Sequence, residues 1–354
     1  MTFVMAGGGT GGHVLPALAV AQELRRRGHK VVFIGTARGM EARLVPEAGF
    51  CLRTLQVGAL KQVSWARRLR TMLQLPASLV AAAGMLAGLR PKAVFSMGGY
   101  ASGPVALIAL LRGIPVVVME PNAFPGFTHR LIGRFVTRAL LGFEQAGRFF
   151  PPGRSEVTGI PIREEFFQLP PKPHQPPFTV LITGGSQGSH RLNYAATESV
   201  RFWDRDGWLD RIVFLHQSGE KEYNDVCSRY RELGAHADVA PFLDDMPGAF
   251  ARADVIVCRS GASTVAELSA AGKASLLVPF PFAADQHQLR NAQAMQAAGA
   301  ARVVEDRDFT GPRFFEELRA MLEAPERLAE METAARRLAR SGAAGRAAGV
   351  LESL

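Results

Sequence analysis

Cysteine is scarce: Cys51, Cys227 and Cys258 are the only three in 354 residues. Odd in number and far apart, they exclude a disulfide scaffold and any Cys-x-x-Cys metal knuckle, and they fit a reducing cytosol. Long apolar runs are missing too. The nearest approach to a membrane span, Leu73 to Leu89, contains Gln74, Pro76 and Ser78. At the short limit of about 17 residues for a spanning helix, it is expected to be a packed or interfacial helix. Met1 leads directly into Phe3-Val4-Met5-Ala6 and a glycine run, without the basic stretch that opens a secretory signal. Acidic residues are sparse in the first half, where residues 1–160 hold 6 Asp and Glu against 19 Lys and Arg; the remainder hold 26 against 22. A basic half calls for an anionic partner, either nucleic acid or a membrane surface. Aromatics are not interleaved with the basic residues in stacking fashion and no nucleic-acid motif occurs, so nucleic acid is not expected.

What is present is ordinary globular material, 47% apolar and 21% charged, with 36 glycines and 22 prolines. Its length suggests two domains, or at most three. The recurring pattern is strand, glycine loop, helix. Thr2 to Met5 is a short apolar strand, Ala6 to Gly12 a glycine loop, and a helix is expected from about Val14, with Gly28 placed to end it. Val31–Ile34, Ala93–Met97 and Val116–Met119 read as further strands buried on both faces. A proline-rich segment, residues 170–177, reads as loop or linker. After it the opening repeats: Phe178 to Thr183, then Gly184-Gly185-Ser186-Gln187-Gly188 and a helix. Strands are expected at Ile212–Leu215, Val255–Val257 and Ser275–Val278, and the tail from about Glu326 is helical. The expected class is therefore α/β, with two Rossmann-like domains whose parallel sheets face each other across a cleft.

Gly7-x-Gly9-x-x-Gly12 satisfies the dinucleotide fingerprint, because glycines let backbone N–H groups approach a phosphate at a helix N-terminus. The acidic residue that should end the second strand is absent; Gly35-Thr36-Ala37-Arg38 stands there, with no carboxylate before Glu41. Arg38 would suit a 2′-phosphate, so an NADP-dependent oxidoreductase stays open at this point. His13, where the first loop becomes a helix, fits a general base kept neutral by the helix N-terminus, or alternatively a helix-capping or solvated histidine. In the second half, Arg259-Ser260-Gly261-Ala262-Ser263-Thr264 follows a strand, with Glu267 further on. Either Ser263 or Thr264 caps that helix with Glu267 near capping-box spacing, or a phosphate or sugar sits at the helix start and Glu267 holds a ribose diol. Asp204-Arg-Asp206 and Asp306-Arg-Asp308 spell Asp-x-Asp but follow no clear buried strand beside a glycine loop. They are read as solvated loop or cap residues, and no metal is assigned.

Met5-Ala-Gly-Gly-Gly-Thr-Gly-Gly-His13, Met97-Gly-Gly-Tyr100-Ala-Ser-Gly-Pro104 and Gly184-Gly-Ser-Gln-Gly188 resemble the three glycine loops of the MurG family. His216-Gln-Ser-Gly219, Phe242-Leu-Asp-Asp-Met246, Cys258-Arg-Ser-Gly-Ala262 and the stretch from Asp285 to Ala292 follow in the family's order, so the resemblance covers nearly the whole chain. It implies a GT-B fold and a metal-independent, inverting N-acetylglucosaminyltransferase. Such an enzyme converts lipid I (undecaprenyl-pyrophosphoryl-N-acetylmuramyl-pentapeptide) to lipid II in peptidoglycan synthesis. The domains it implies are residues 1–162, facing acceptor and membrane, and residues 163–335, binding UDP-N-acetylglucosamine, with a terminal helix of about 336–354 packing back on the first. The nucleotide sugar is a substrate, and no cofactor is expected.

By the same resemblance, Ser186 and its loop meet the diphosphate, the backbone at Leu243 reads the uracil, and Glu267 holds the ribose. Ala262, Ser263, Thr264, Val265 and Ala266 line the pocket beside them; Gln288 contacts the transferred sugar and Arg163 adds a donor-site contact. Thr10, Gly11, Gly12 and Asn122 close on the donor sugar from the first domain. His13 deprotonates the acceptor hydroxyl, and Tyr100 is an acceptor-side residue. The chain departs from the family at Met119-Glu-Pro-Asn122, where His-Glu-Gln-Asn is usual, and at Phe127-Thr-His129, where a Thr-Asn pair is usual.

The resemblance also gives the basic half a use: the acceptor is a lipid pyrophosphate, so an anionic membrane surface is the expected partner, alongside other cell-wall synthesis proteins. The implied location is peripheral, on the cytoplasmic side of the bacterial inner membrane. Lys61, Arg67, Arg68 and Arg70 interleave with Val63, Trp65, Leu69, Met72 and Leu73 in an interfacial pattern, which equally describes a charged helix face over a core stripe. Two other readings remain beside the oxidoreductase: a GT-B transferase with a different acceptor, and a catalytically inactive nucleotide-sugar-binding protein.

Overall fold

The computed structural model describes residues 1–8, 11–57 and 65–354, without the side chains of residues 11 and 65–73. Of the positions singled out above, Gly9, Thr10, Lys61 and Val63 lie outside the described residues, as do the side chains of Trp65, Arg67, Arg68, Leu69, Arg70, Met72 and Leu73. The chain divides into two compact units, residues 1–162 with 340–354, and residues 163–339.

Unit 1 is built on seven parallel strands: β1 (Thr2–Gly7), β2 (Lys30–Gly35), β3 (Cys51–Thr54), β4 (Ala93–Gly98), β5 (Val116–Glu120), β6 (Arg138–Leu141) and β7 (Ser155–Val157). Their order across the sheet is β3-β2-β1-β4-β5-β6-β7. Alternation along β1 assigns Phe3 and Met5 to one face and Val4 and Ala6 to the other, and each face has its own apolar core. Covered on both sides, β4 and β5 are buried at every position, so they read as continuous apolar runs. The helix Ala343–Glu352 packs on the helix Gly11–Arg26. Glu352 fastens it, pairing with Arg27 and His29 at 2.6 Å each while its carbonyl accepts from Lys92 Nζ at 2.7 Å.

Unit 2 repeats the plan with six parallel strands: β8 (Phe178–Thr183), β9 (Ile212–Gln217), β10 (Ala237–Ala240), β11 (Val255–Cys258), β12 (Ser275–Leu277) and β13 (Arg302–Val303). Their order is β10-β9-β8-β11-β12-β13. Two Rossmann-like α/β units with parallel sheets are thus observed, as the strand–glycine loop–helix pattern led one to expect. In each the strand order reverses beside the first strand, β1 next to β4 and β8 next to β11. That switch point is where the loops at the strands' C-terminal ends diverge and leave room for a ligand.

The proline-rich segment is no free linker between the units. It lies inside unit 2 as a strap, with His174 Nδ1 2.9 Å from Asp254 Oδ1, 3.4 Å between His174 Nε2 and Glu332, and Lys172 paired with Asp254. The expected membrane-like stretch is the C-terminal part of a longer helix, Trp65–Leu89, and no described helix is long and apolar enough to cross a membrane.

Candidate functional site

At the switch point of unit 1, β1 runs into the first glycine loop and β4 into the second, with Gly7 and Gly98 in register. Gly98 and Gly99 both have positive φ, +82° and +79°, which side chains other than glycine's resist. A Cβ on Gly99 would lie 2.9 Å from the Gly8 carbonyl oxygen and 3.6 Å from His13 Nδ1, so the two loops interlock. His13 is the third residue of its helix, half-buried, and does not occupy the capping position. Its Nδ1 lies 3.4 Å from the Gly8 carbonyl oxygen, an acceptor only. In the tautomer that makes this contact a hydrogen bond, the ring proton is on Nδ1 and Nε2 is the basic nitrogen. Tyr100 is half-buried in the turn after Gly99, and Asn122 follows β5.

Glu41, the first carboxylate after the second strand, is buried against the glycine loop. Its Oε1 accepts from Thr36 N at 2.9 Å and Thr36 Oγ1 at 2.7 Å. A Cβ on Gly8 would come within 2.1 Å of that same oxygen, and one on Gly39 within 2.0 Å of Oε2. This carboxylate is held by Thr36 and packs beneath Gly8 and Gly39, and Arg38 is exposed. Only the conjunction of Glu41 with Gly35 and Gly39 could have signalled this in the sequence.

Unit 2 carries the positions that the resemblance assigns to the donor. β8 leads into Gly184 to Gly188, with Ser186 exposed at the turn. That loop is braced by the His216-Gln-Ser-Gly219 motif: at Gly188, φ +71°, a Cβ would lie 1.9 Å from the Ser218 carbonyl oxygen. Gln217, 1% exposed, donates to Gly185 O at 2.8 Å and accepts from Leu243 N at 3.0 Å. The Leu243 N–H is thus engaged within the protein. Sequence reasoning gave Gln217 no role.

The helix Ala262–Ala271 starts after Gly261, whose position is the cap, so Ser263 and Thr264 lie inside the first turn and no capping box forms with Glu267. Among the described residues, Ser263 Oγ is buried without a hydrogen-bond partner, an orphan donor at a helix N-terminus where an anion is favoured. Burial pushes the Glu267 carboxyl up to about 7, against the pull of Arg163. Ala262 and Val265 are buried on the same helix and Ala266 is part-buried, while Arg163, first residue of unit 2, lies over the Phe166 ring at 5.0 Å. Gln288 Oε1 accepts from Phe280 N at 3.0 Å.

The two Asp-x-Asp segments separate in role. Asp206 ends a helix and pairs with Arg205 and Arg319, as expected of a cap residue. Asp306 is not solvated but holds Arg259 at 2.6 Å, and Arg259 in turn donates to Ser189 Oγ at 2.8 Å, bracing the helix after the phosphate-type loop. Among the described residues no group of three or more His, Cys, Asp or Glu stands ready for a metal.

Two Rossmann-like units, each with glycine loops at its switch point and one with a helix N-terminus beside the Glu267 carboxyl, are an architecture that fits the nucleotide-sugar transferase class. Residues 3–141 match the glycosyltransferase family 28 N-terminal domain and residues 179–346 the glycosyltransferase family 28 C-terminal domain. The chain belongs to glycosyltransferase family 28 and, within it, to the MurG family, and it is a glycosyltransferase. It is 54% identical, over 100% of its length and 96% of the relative's, to the UDP-N-acetylglucosamine--N-acetylmuramyl-(pentapeptide) pyrophosphoryl-undecaprenol N-acetylglucosamine transferase of Solibacter usitatus (strain Ellin6076). It is 41% identical to the protein of the same name from Myxococcus xanthus (strain DK1622), over 100% and 93%. The crystal structure of Acinetobacter baumannii MurG superimposes with a TM-score of 0.83 at 31% identity, covering 100% of this chain and 99% of that one.

Proposed function

We propose that the chain transfers N-acetylglucosamine from UDP-N-acetylglucosamine to the 4-hydroxyl of the N-acetylmuramyl group of lipid I, giving lipid II with inversion and without a bound metal. The observation that carries this reading is the full-length likeness, 54% identity, to a transferase named for those substrates. The site chemistry agrees with it. Unit 2 holds the donor: loop N–H groups at Gly184 to Gly188 and the helix start at Ala262 meet the diphosphate, Leu243 the uracil and Glu267 the ribose, with Ser186, Ser263, Thr264, Val265, Ala266, Arg163 and Gln288 around them. Unit 1 holds the acceptor, with Tyr100 on its side, and Gly11, Gly12 and Asn122 serve the sugar.

In the reaction the acceptor oxygen bonds to the anomeric carbon as its proton passes to His13 Nε2. The bond from that carbon to the phosphate oxygen breaks, and UDP leaves with the electron pair. Positive potential at the N-terminus of Ala262–Ala271 and the loop N–H groups offset the charge that develops on the leaving diphosphate, the part a metal plays elsewhere.

Unit 1 is proposed to dock on the cytoplasmic face of the bacterial inner membrane. Besides the basic excess, Leu107, Leu111, Phe127, Leu131 and Phe135 are large apolar side chains exposed on neighbouring helical segments, with Arg112 and Arg134 exposed beside them. Apolar side chains rimmed by cations suit an anionic bilayer surface.

The deciding experiment measures transfer of labelled N-acetylglucosamine to a soluble lipid I analogue in excess EDTA, with His13→Ala alongside. Transfer by wild type, slowed at least ~100-fold in the variant, is expected for a lost general base. No transfer by folded, UDP-binding protein would overturn the acceptor assignment. Transfer abolished by EDTA and restored by a divalent cation would overturn the metal-free step.

A further inference from the structure

Beneath the two glycine loops of unit 1 lies a chain of buried polar groups that the proposed mechanism does not use. Ser96, His129 and Glu120 are 0%, 1% and 2% exposed. Glu120 Oε2 lies 2.8 Å from His129 Nδ1, and His129 Nε2 lies 3.2 Å from Ser96 Oγ. In turn Ser96 Oγ accepts from Gly98 N at 3.3 Å. The other carboxylate oxygen, Glu120 Oε1, accepts from both the backbone N (3.0 Å) and the side-chain Nδ2 (3.1 Å) of Asn122, and Oε2 also takes Gly126 N at 3.1 Å.

The order serine, histidine, carboxylate is that of a hydrolytic triad. Here it does not act as one: Ser96 sits in the interior of the sheet, with no surface from which a substrate carbonyl could approach its oxygen, and that oxygen already receives the Gly98 N–H. What the chain does instead follows from its ends. One end is Asn122. The other is Gly98-Gly99, whose backbone packs on Gly8 and beside His13, and whose Gly99 carbonyl accepts from Thr128 Oγ1 and Ser102 Oγ at 3.0 Å each. A Cβ on Gly98 would stand 3.2 Å from His129 Cε1, so ring and turn are in direct contact.

We infer that the buried Glu120–His129–Ser96 chain is a positioning device, setting both the Gly98-Gly99 turn against His13 and the carboxamide of Asn122. The inference rests on the proposed roles of His13 and Asn122. Burial alone would raise the Glu120 carboxyl, but His129 and the N–H groups of Asn122 and Gly126 outweigh it and hold it below the ordinary carboxylate range. A full negative charge therefore sits at the root of the loop, and every donor aimed at it loses its acceptor if it moves. The sequence disguised this: His129 stands at one of the two places where the chain departs from the family, and a histidine there supplies a donor to Glu120 and a second ring nitrogen to Ser96.

The test uses the full chain with His129→Leu, His129→Gln and Ser96→Ala. Gln keeps a donor toward Glu120 and an acceptor toward Ser96, so it serves as the conservative rescue. A small misplacement of reacting groups costs up to about 100-fold in rate. His129→Leu is expected to lower kcat about tenfold or more, with KM for the nucleotide sugar within about twofold and UDP affinity unchanged, while His129→Gln stays within about threefold of wild type. Kinetics are run at 10 °C on protein shown to be folded, where partial unfolding would not mimic the loss. Ser96→Ala decides if His129→Leu fails to fold, since it removes the oxygen that joins His129 Nε2 to Gly98 N and leaves the Glu120–His129 pair in place.

Hydrogen exchange over residues 97–103 is read in parallel and needs no substrate. Faster exchange confined to that segment in Ser96→Ala supports the device even if wild type proves not to transfer the sugar, which would sink the functional reading alone. Unchanged exchange there, or a folded His129→Leu with kcat within about twofold of wild type, overturns the inference.

Discussion

The backbone N–H of Leu243 donates to the side-chain oxygen of Gln217 at 3.0 Å, and the same carboxamide donates to Gly185 O at 2.8 Å and Thr183 Oγ1 at 3.2 Å. One buried side chain thereby ties the segment proposed to read the base to the loop proposed to hold the diphosphate. Gln217→Ala leaves the Leu243 N–H without that buried acceptor, at a cost of about 1–3 kcal/mol for such a group, and slackens the Gly185 turn. UDP binding is expected to weaken about tenfold, with uridine affected less because it calls on only one of the two segments. Calorimetric titration of both ligands checks this; equal losses for the two would show that Gln217 does not link base to phosphate.

Glu267 supplies a pH dependence with a definite sign. Its carboxyl is pushed up to about 7 by burial, so the ligand-free protein carries a proton there at pH 6. A ribose diol is a pair of donors and prefers the ionised form. UDP affinity should therefore rise as pH climbs through 7, level off above it, and fall by up to about tenfold per unit below. At pH 6.5 binding should release a proton, visible as a dependence of the calorimetric heat on buffer ionisation enthalpy. Glu267→Gln is expected to reduce both the release and the slope to what the terminal phosphate of UDP contributes; a slope unchanged from wild type would place the titrating group elsewhere.

The strands that the sequence disclosed are those buried on both faces. β1, β4, β5, β8 and β11 are short, largely apolar runs, and each precedes glycines or a turn. The short outer strands were not legible. β3 reads Cys-Leu-Arg-Thr and is mostly exposed, β10 reads Ala-Asp-Val-Ala, and β13 has two residues; each is a strand because a neighbour's edge recruits it. The candidate site divides the same way. Glycine loops announce themselves because a missing side chain is a visible signal, whereas the residues that brace them are single polar letters. Glu41, Gln217 and His129 gain meaning only when the fold brings Gly8, Gly185 and Gly98 to them from distant stretches. The helix start near Ala262 misled the capping argument for a related reason. Its cap is Gly261, which has no side chain to spend, and that leaves Ser263 Oγ buried and unpartnered.

The proline-rich strap of unit 2 should loosen in alkali. Asp254 first, and Glu332 second, raise His174 to about 9. A histidine whose folded value lies above its unfolded value of about 6.5 stabilises fully below pH 6.5 and loses that contribution as pH rises to 9. The melting temperature of wild type is accordingly expected to decline between pH 7 and 9.5. His174→Gln should start lower at pH 6.5 and show a flatter decline, so that the two curves converge. Parallel curves would show that the strap's ion pairs contribute nothing to stability.

The exposed apolar side chains of unit 1 make a last prediction that separates docking from chemistry. The helix Ser102–Leu111 packs against both Trp65–Leu89 and Phe127–Ile132, so Leu111 and Leu131, 73% and 65% exposed, belong to neighbouring elements. Burying one such side chain in a bilayer interface is worth about 1.5–3 kcal/mol at most, and each nearby cation about 1 kcal/mol on an anionic surface. Leu111→Glu with Leu131→Glu removes two apolar contacts and adds two repelled charges. Binding to vesicles containing phosphatidylglycerol should fall at least about tenfold, while kcat on a soluble acceptor stays within about twofold of wild type. Wild-type binding should weaken as salt is raised, because the cationic part of the attraction is screened over about 8 Å at physiological ionic strength. If the double variant binds such vesicles as well as wild type, the docking surface lies on another part of the chain, and the basic stretch from Lys61 to Arg70 becomes the segment to substitute next.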